Sequence, residues 1–358
     1  MLKFTVKKLG YGVLVLWGVV TTIFFLFNVL PGDPAEIILG QRAGKEAIEA
    51  IHRDLGTNRP LPEQYLNYLN DLSPISVHNV RDQNSFWYLN PRKYDWTPLV
   101  SMGNSACVLK YPYLRKSYIT KRDVADIIRD TLPATAVLAI TAIVIASVLG
   151  IVLGVLSAVK KDSFFDRGVF VAATVFGMSA PSFLVGLVVA WLFGYVLSDY
   201  TGLNASGSLY EYDVWKGEQL HLANLILPAF TLGIRPLSIV IQLTRSSMLD
   251  VLSQDFIRTA RAKGLKYRSV IVGHALRNAL NPVVTAISGW FAALMAGAVF
   301  VEKIFSWKGI GNEVVEALGN NDLPVVMGAT IIFACIFVLI NIAVDIVYGI
   351  LDPRVRIR

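Results

Sequence analysis

The amino-acid sequence predicts an all-α polytopic membrane protein, with six transmembrane helices and a roughly 100-residue extracytoplasmic insert after the first. Three observations point that way. Of 358 residues, 54% are hydrophobic and only 16% are charged, whereas a soluble domain carries about 25% charged residues. Six runs reach the roughly 20 apolar residues that cross a bilayer core. Lysine and arginine gather in alternate short loops, as they do on the cytoplasmic side of membrane proteins. The net charge of +7 is explained by those loops and needs no nucleic acid.

The first run, 9–30, is followed by Pro31-Gly32-Asp33-Pro34, which is not a small-residue cleavage site. Residues 1–30 therefore read as a retained N-terminal transmembrane helix. Residues 31–131 read as an extracytoplasmic region with helical segments. In it, Lys45–Leu55 is a helix stopped by Gly56. A second, 62–72, opens on Pro62 and puts Tyr65, Leu66 and Leu69 on one face. Stretch 73–120 is rich in aromatics without periodicity, and a short compact insert is expected. Stretch 123–130 reads as an interfacial helix leading into the second span. Residues 132–358 form a core of five spans: 132–159, 169–197, 225–248, 282–301 and 325–351. Pro282 and Pro324 fall at or just before a start, where a missing N–H costs little.

Orientation follows from the short loops. Lys3, Lys7 and Lys8, then Lys160, Lys161 and Arg167, then the loop after the fourth span, and finally Arg354, Arg356 and Arg358 share one side if there are six spans. The opposite loop, 199–224, holds Asp199, Glu211, Asp213 and Glu218 against Lys216. Both termini are thus expected in the cytoplasm.

Within the spans, Ala142, Ala146, Gly150, Gly154 and Ala158 recur every fourth residue, a spacing that lets helices approach closely. Gly289, Ala293 and Gly297 repeat the device in the fifth span, and bundle packing is expected for both. The fourth span carries a polar stripe of Thr231, Arg235, Ser238, Gln242 and Arg245. Arg235 sits about 15 Å from the outer end by helix rise. An arginine at mid-membrane costs at least about 2.5–3.5 kcal/mol, so it needs a cavity or a partner. Two readings stay open. Thr231, Arg235, Ser238 and Gln242 line a translocation path, or Arg235 pairs internally, for example with Asp345. Pro236 loosens the helix beside it, while Arg245 is near enough to the end to snorkel without a special role. Asn341 and Asp345 read as helix-helix or interface anchors.

The loop 250–281 is the most informative stretch. The apolar positions Leu249, Leu252, Phe256 and Ala260 carry the fourth helix outward. Gly264 breaks it as a left-handed cap. From Tyr267 a second helix resumes with Val270, Ile271, His274 and Ala275 on one face, and Asn281-Pro282 ends it. The result is a basic helix–glycine–helix elbow, and Thr259, Ala260 and Ala262 leave its tip low enough to dock into a groove.

This elbow resembles the cytoplasmic EAA loop of ABC importer permeases, whose general form is Glu-Ala-Ala, a glycine, and Ile-x-Leu-Pro. Ala260, Gly264 and Leu276 match; Arg258, Thr259, His274 and Arg277 depart from that form. The departures, read as RTARAKGL and HALRNA, look like the dipeptide and oligopeptide branch, which also carries nickel transporters. LPGDPA at 30–35, LTRSSMLDVL at 243–252 and IFSWKGIGN at 304–312 resemble that branch too. The resemblance covers 1–72 and 119–358, leaving the role of 73–118 open.

It implies a permease subunit of a bacterial cytoplasmic (inner) membrane, without catalysis of its own. The coupling loop would comprise Phe256, Arg258, Thr259, Ala260, Arg261, Ala262, Lys263, Gly264, Leu265 and Leu276. Implied partners are a second homologous permease, two cytoplasmic ATPase subunits that hold ATP and Mg, and an extracytoplasmic solute-binding protein. No cofactor is expected on this chain.

Motif absences agree with that reading. There is no Gly-x-x-x-x-Gly-Lys-Ser/Thr, no His-Glu-x-x-His and no Gly-x-Ser-x-Gly. Gly177-Met178-Ser179-Ala180 lacks a histidine in any span to act as base. His52, His78, His221 and His274 show no metal-ligand spacing, and Cys107 and Cys335 imply no disulfide framework. A secondary transporter would show inverted repeats, and none is apparent. An exporter permease with the same elbow is the other alternative.

Overall fold

The computed structural model describes residues 2–29, 34–39, 44–82, 85, 87–91, 93–213, 215 and 217–351. Pro31, Gly32 and Asp33 of the LPGDPA stretch, Phe86, Lys216 and the C-terminal arginines lie outside them. The chain divides into two compact units, one within 1–8, 131–315 and 336–358, the other within 9–130 and 316–335.

The second unit holds most of α1 (Leu2–Val29), then α2 (Pro34–Leu39), α3 (Lys45–Leu55) and α4 (Leu61–Leu72). α3 ends as expected, at Gly56 with φ +70°. Tyr68 of α4 is buried against Phe24, Met327 and Ile331, and Tyr65 packs beside it while Leu66 points outward. Beyond α4 come β1 (Ile75–Asn79), β2 (Trp96–Met102) and β3 (Ser105–Lys110), an antiparallel sheet in the order β1-β3-β2. The expected all-α fold is corrected here.

The sheet's inner face explains why it was hard to read. β1 buries Ser76 and His78 and exposes Ile75 and Val77, the reverse of a usual half-buried strand. The Ser76 hydroxyl and the Asn70 amide lie 3.0 and 3.4 Å from His78 Nε2, and Asp71 beside them accepts hydrogen bonds from Tyr94 Oη (2.5 Å) and Lys93 Nζ (2.9 Å), while its carbonyl accepts one from Lys110 Nζ (2.6 Å). Burial, with Lys110 nearby, pushes His78 down to about 4. Burial also lowers Lys110 to about 8, and raises Tyr94, whose hydroxyl already serves Asp71.

α5 (Val124–Val159), of which 131–159 belong to the first unit, is one helix; the predicted interfacial helix is simply its opening. α6 (Phe164–Ala172) runs through a wide π-helical stretch to Ser179, and α7 (Ser182–Trp191) follows, with α8 at Ser198–Thr201. A hairpin of β4 (Tyr210–Asp213) and β5 (Gly217–Leu220) precedes α9 (Ala223–Leu252). Then come α10 (Asp255–Ala262), α11 (Tyr267–Ser269), a second π-helical stretch (Val270–Leu276), α12 (Arg277–Gly297), α13 (Val299–Phe305), α14 (Ile310–Gly319) and α15 (Leu323–Leu351), with residues 316–335 of the last two in the second unit.

Among the described residues, four helices are long and apolar enough to cross a membrane: Val6–Phe27, Val124–Val159, Ala223–Leu252 and Leu323–Ile346. The count reaches six if two bent pairs are one span each. Phe164–Ser179 and Ser182–Val196 meet at 111°, and Tyr267–Met295 and Val299–Phe305 at 59°. The straight third span expected over 169–197 is thus broken. Its cause is local: Pro181 forces Ala180 into extended backbone, φ −78° and ψ 134°.

The small residues of α5 do what their spacing predicts. A Cβ on Gly150 would lie 2.6 Å from Val240 and one on Gly154 2.6 Å from Thr244, so only glycine permits this approach of α5 to α9. The α12 stripe differs: Gly289 and Ala293 are exposed, and a Cβ on Gly289 would meet nothing within 4 Å among the described residues.

A basic elbow braced by buried pairs

The elbow stands on a small apolar base. Ile257 and Ala260 of α10 are buried with Ala158 at the end of α5, Met248 and Val251 of α9, and Val270, Ile271 and Ala275 beyond the turn. The wide π turn brings residues five apart, Val270 and Ala275, onto one face; His274, expected there, is exposed. Two boundaries also differ from expectation. α9 stops at Leu252, with a break at Ser253-Gln254 before α10, and Pro282 lies inside α12 rather than ending a helix.

The turn itself is as expected. Gly264 has φ +78°, and no atom lies within 4 Å of the Cβ it lacks. Glycine is required here by backbone conformation, not by space. Gly264 N donates to Arg261 O (2.9 Å) and Lys263 N to Thr259 O (3.0 Å), closing the end of α10.

What faces outward is a mixed apolar and cationic surface. Phe256, Leu265 and Tyr267 are 40%, 41% and 52% exposed. Arg258, Thr259, Arg261, Ala262 and Lys263 are exposed around them, while Leu276 is half-buried. Arg258 bonds Asp255 (3.3 Å), and the Arg261 guanidinium lies 5.5 Å from the Tyr267 ring. Ala260, which the sequence placed on the docking tip, belongs to the base instead.

Two turns before the elbow, Arg245 makes a bidentate pair with Asp166 of α6, at 2.6 and 2.7 Å. The Asp166 side chain is 3% exposed. Arg245 therefore ties α9 to α6 rather than snorkelling freely. Asp166 hid among the basic residues of its loop, which read only as topogenic charge.

The polar stripe is divided by the fold. Thr231 and Ser238 are buried, the Ser238 hydroxyl donating to Ile234 O (2.9 Å), and Gln242 donates to Met178 Sδ (3.0 Å). Arg235 is exposed and makes no ion pair among the described residues. Asp345, its candidate partner in the sequence, pairs instead with Lys8 at 2.6 Å.

A second buried carboxylate escaped the sequence reading. Glu302 is fully buried and accepts from Thr135 Oγ1 (2.6 Å) and Asn312 N (3.0 Å), at the start of α14. Trp307, also fully buried, donates its indole N–H to Ala134 O (3.1 Å). The IFSWKGIGN stretch thus wraps this carboxylate: a Cβ on Gly311 would lie 2.8 Å from Glu302 Oε2. Its glycines were the available signal.

The described residues hold no cluster of three or more His, Cys, Asp or Glu fit for a metal ion.

The sequence pattern described as "Binding-protein-dependent transport system inner membrane component" matches residues 150–357, and the N-terminal pattern of the same kind of component matches 1–82. The chain is 35% identical to the di/tripeptide transport system permease protein DppB of Pseudomonas aeruginosa, over 99% of each chain. It is 34% identical to the dipeptide transport system permease protein DppB of Escherichia coli K12, again over 99% of both. A putative peptide transport system permease protein of Brucella abortus is also 34% identical, over 99% of both. Among solved structures, the inward-facing MetNI methionine ABC transporter shares the fold, with a TM-score of 0.50, 16% identity, and coverage of 64% of this chain and 97% of that one. The chain belongs to the binding-protein-dependent ABC transporter permeases, as a non-catalytic, multi-pass inner-membrane component homologous over its full length to dipeptide permeases.

Proposed function

We propose that this chain is the translocation-pathway subunit of an ATP-driven importer for peptides or similar small solutes, and that the elbow over 250–281 transmits the work of ATP hydrolysis into it. The observation that carries the reading is the elbow's two-sidedness. Its inner face is locked onto the ends of α5 and α9, while its outer face exposes aromatic and cationic side chains that no other element covers among the described residues. A surface held so firmly and left so open suits a rigid handle for another protein.

The proposed partners are two ATPase subunits, which hold ATP and Mg, a second homologous permease, and a solute-binding protein on the other face. This chain is assigned no cofactor. Both termini and the elbow are assigned to the cytoplasm on loop charge. Moving the permease from 1:99 to 99:1 between access states requires about 5.5 kcal/mol of differential binding. Ile257, Ala260 and Val270 pass that load to α5 and α9, and the Arg245–Asp166 pair passes it to α6. Arg235, exposed near the middle of α9, is assigned to the path, where its charge meets the solute's carboxylate.

Uptake of labelled dipeptide tests this reading, in a strain lacking its own peptide permeases and expressing this chain with its partners. Uptake that requires ATP and falls at least tenfold in Arg235→Ala, at unchanged protein level, is expected. Uptake per molecule unaffected by that change removes Arg235 from the path. Uptake without any ATPase subunit overturns the reading itself.

A further inference from the structure

The 111° bend between α6 and α7 opens a crevice in the membrane-spanning part of the first unit. Its cavity, about 480 Å³, is walled by Phe176, Leu184, Val188, Phe230, Ile234 and Ile241, among others. Among the described residues that line it, only Ser238 has a polar side chain, and its hydroxyl is already spent on Ile234 O. A more open depression of about 580 Å³ adjoins it, sharing Ala172 and Phe176 and ending at Arg167 and Phe164.

We propose that this crevice binds an anionic phospholipid, with an acyl chain in the apolar slot and the phosphate at Arg167. The chemistry of the walls excludes the transported class of solute. A peptide placed there would bury its amides with nothing to bond, at a cost of several kcal/mol for each. An acyl chain has no such groups, and its flexibility suits a slot bent with the helix. The mouth supplies the complementary charge. Arg167 is exposed and makes no ion pair among the described residues, and Lys160 and Lys161 precede it. The nearest acid, Asp166, is neutralised by Arg245, whose charge also acts on Asp162, the loop's other acid. Cations at a crevice between spans on the cytoplasmic side are the arrangement that holds anionic headgroups.

This inference rests on the membrane-spanning reading and is independent of the solute. The full chain, purified with its partner subunits, is stripped of lipid, incubated with phosphatidylglycerol or phosphatidylcholine, and repurified. Lipid retained per chain is then counted by native mass spectrometry. Phosphatidylglycerol is expected to be retained at least fivefold over phosphatidylcholine. Arg167→Glu, a change at an exposed position, and Leu184→Trp, which fills the slot, are each expected to abolish that preference. Ala172→Phe stands in where the tryptophan variant fails to fold. Equal retention of the two lipids, or a preference that survives both changes, overturns the proposal. So does a cross-link from Leu184→Cys to the second permease, or protection of that cysteine from a thiol reagent by added dipeptide.

Discussion

Gly264 offers the sharpest perturbation of the elbow. Its φ of +78° is left-handed, and a Cβ there would touch nothing within 4 Å. A substitution is therefore opposed by backbone strain alone, about 1–2 kcal/mol for an L-residue in this region. Valine, stiff at its branched Cβ, falls at the upper end. The apolar base under Ile257, Ala260 and Val270 holds its own place, so the strain is relieved in the outer turn, by reorienting Lys263 to Lys266. A penalty of 1–2 kcal/mol lowers the docking-competent population by about 5–30-fold. Gly264→Val should insert and accumulate normally, yet lose ATP-driven uptake by roughly that factor and retain less ATPase on purification. Membrane yield by immunoblot, uptake in right-side-out vesicles and co-purification of the ATPase measure these separately. A valine variant with normal yield, normal uptake and full ATPase recovery would refute the reasoning.

Asp166→Asn leaves Arg245 with a weaker partner in a site only partly open to solvent; a loss of about 2–3 kcal/mol is expected, read as a lower melting temperature in detergent. Adding Arg245→Gln should recover part of it, and additive losses would mean that the two side chains do not cooperate. Glu302→Leu leaves the Thr135 O–H and the Asn312 N–H without their acceptor, at about 1–3 kcal/mol each, and Thr135→Val strands the Ile310 N–H and one Glu302 oxygen, so both should melt lower in detergent than the parent; a Glu302→Leu variant that melts as the parent contradicts the network. The insert should weaken in acid. His78 titrates near 4 when folded, below its ordinary 6.5, so the unfolded chain takes up a proton that the folded one refuses. Stability is then lost as pH falls from about 6.5 to about 4, by up to ~3 kcal/mol. Lys110, lowered to about 8, adds stability as pH rises above that value. Protease resistance of the insert across pH 4.5 to 7.5 measures the first effect, and His78→Gln should flatten it.

Where hydrophobic period and backbone demand coincide, the fold was legible. The α5 small-residue spacing does face α9, Gly56 does end α3, and Gly264 does turn the elbow. The sheet was not legible because β1 buries Ser76 and His78 and shows Ile75 and Val77 to solvent, so alternation pointed the wrong way. The break at Ala180-Pro181 was masked by apolar residues on both sides. Its proline was the signal, and it was outweighed by length. The elbow's helix–glycine–helix course could be placed by pattern, but the division of its residues into base and outer face could not, since Ala260 and Ala262 look alike in sequence and differ only in what packs on them. The long-range pairs, Arg245 with Asp166 and Glu302 with Thr135, join residues 79 and 167 positions apart. No local period connects them.

The central claim is that the outer face of α10 is gripped by an ATPase. Thr259→Cys, in a chain with Cys107 and Cys335 replaced by serine, puts a thiol on that face. Cross-linking in inside-out vesicles should join this thiol to the ATPase subunit, in a yield that changes with ATP. A thiol labelled instead by an impermeant reagent added outside intact cells, or never cross-linked while uptake proceeds, would contradict it.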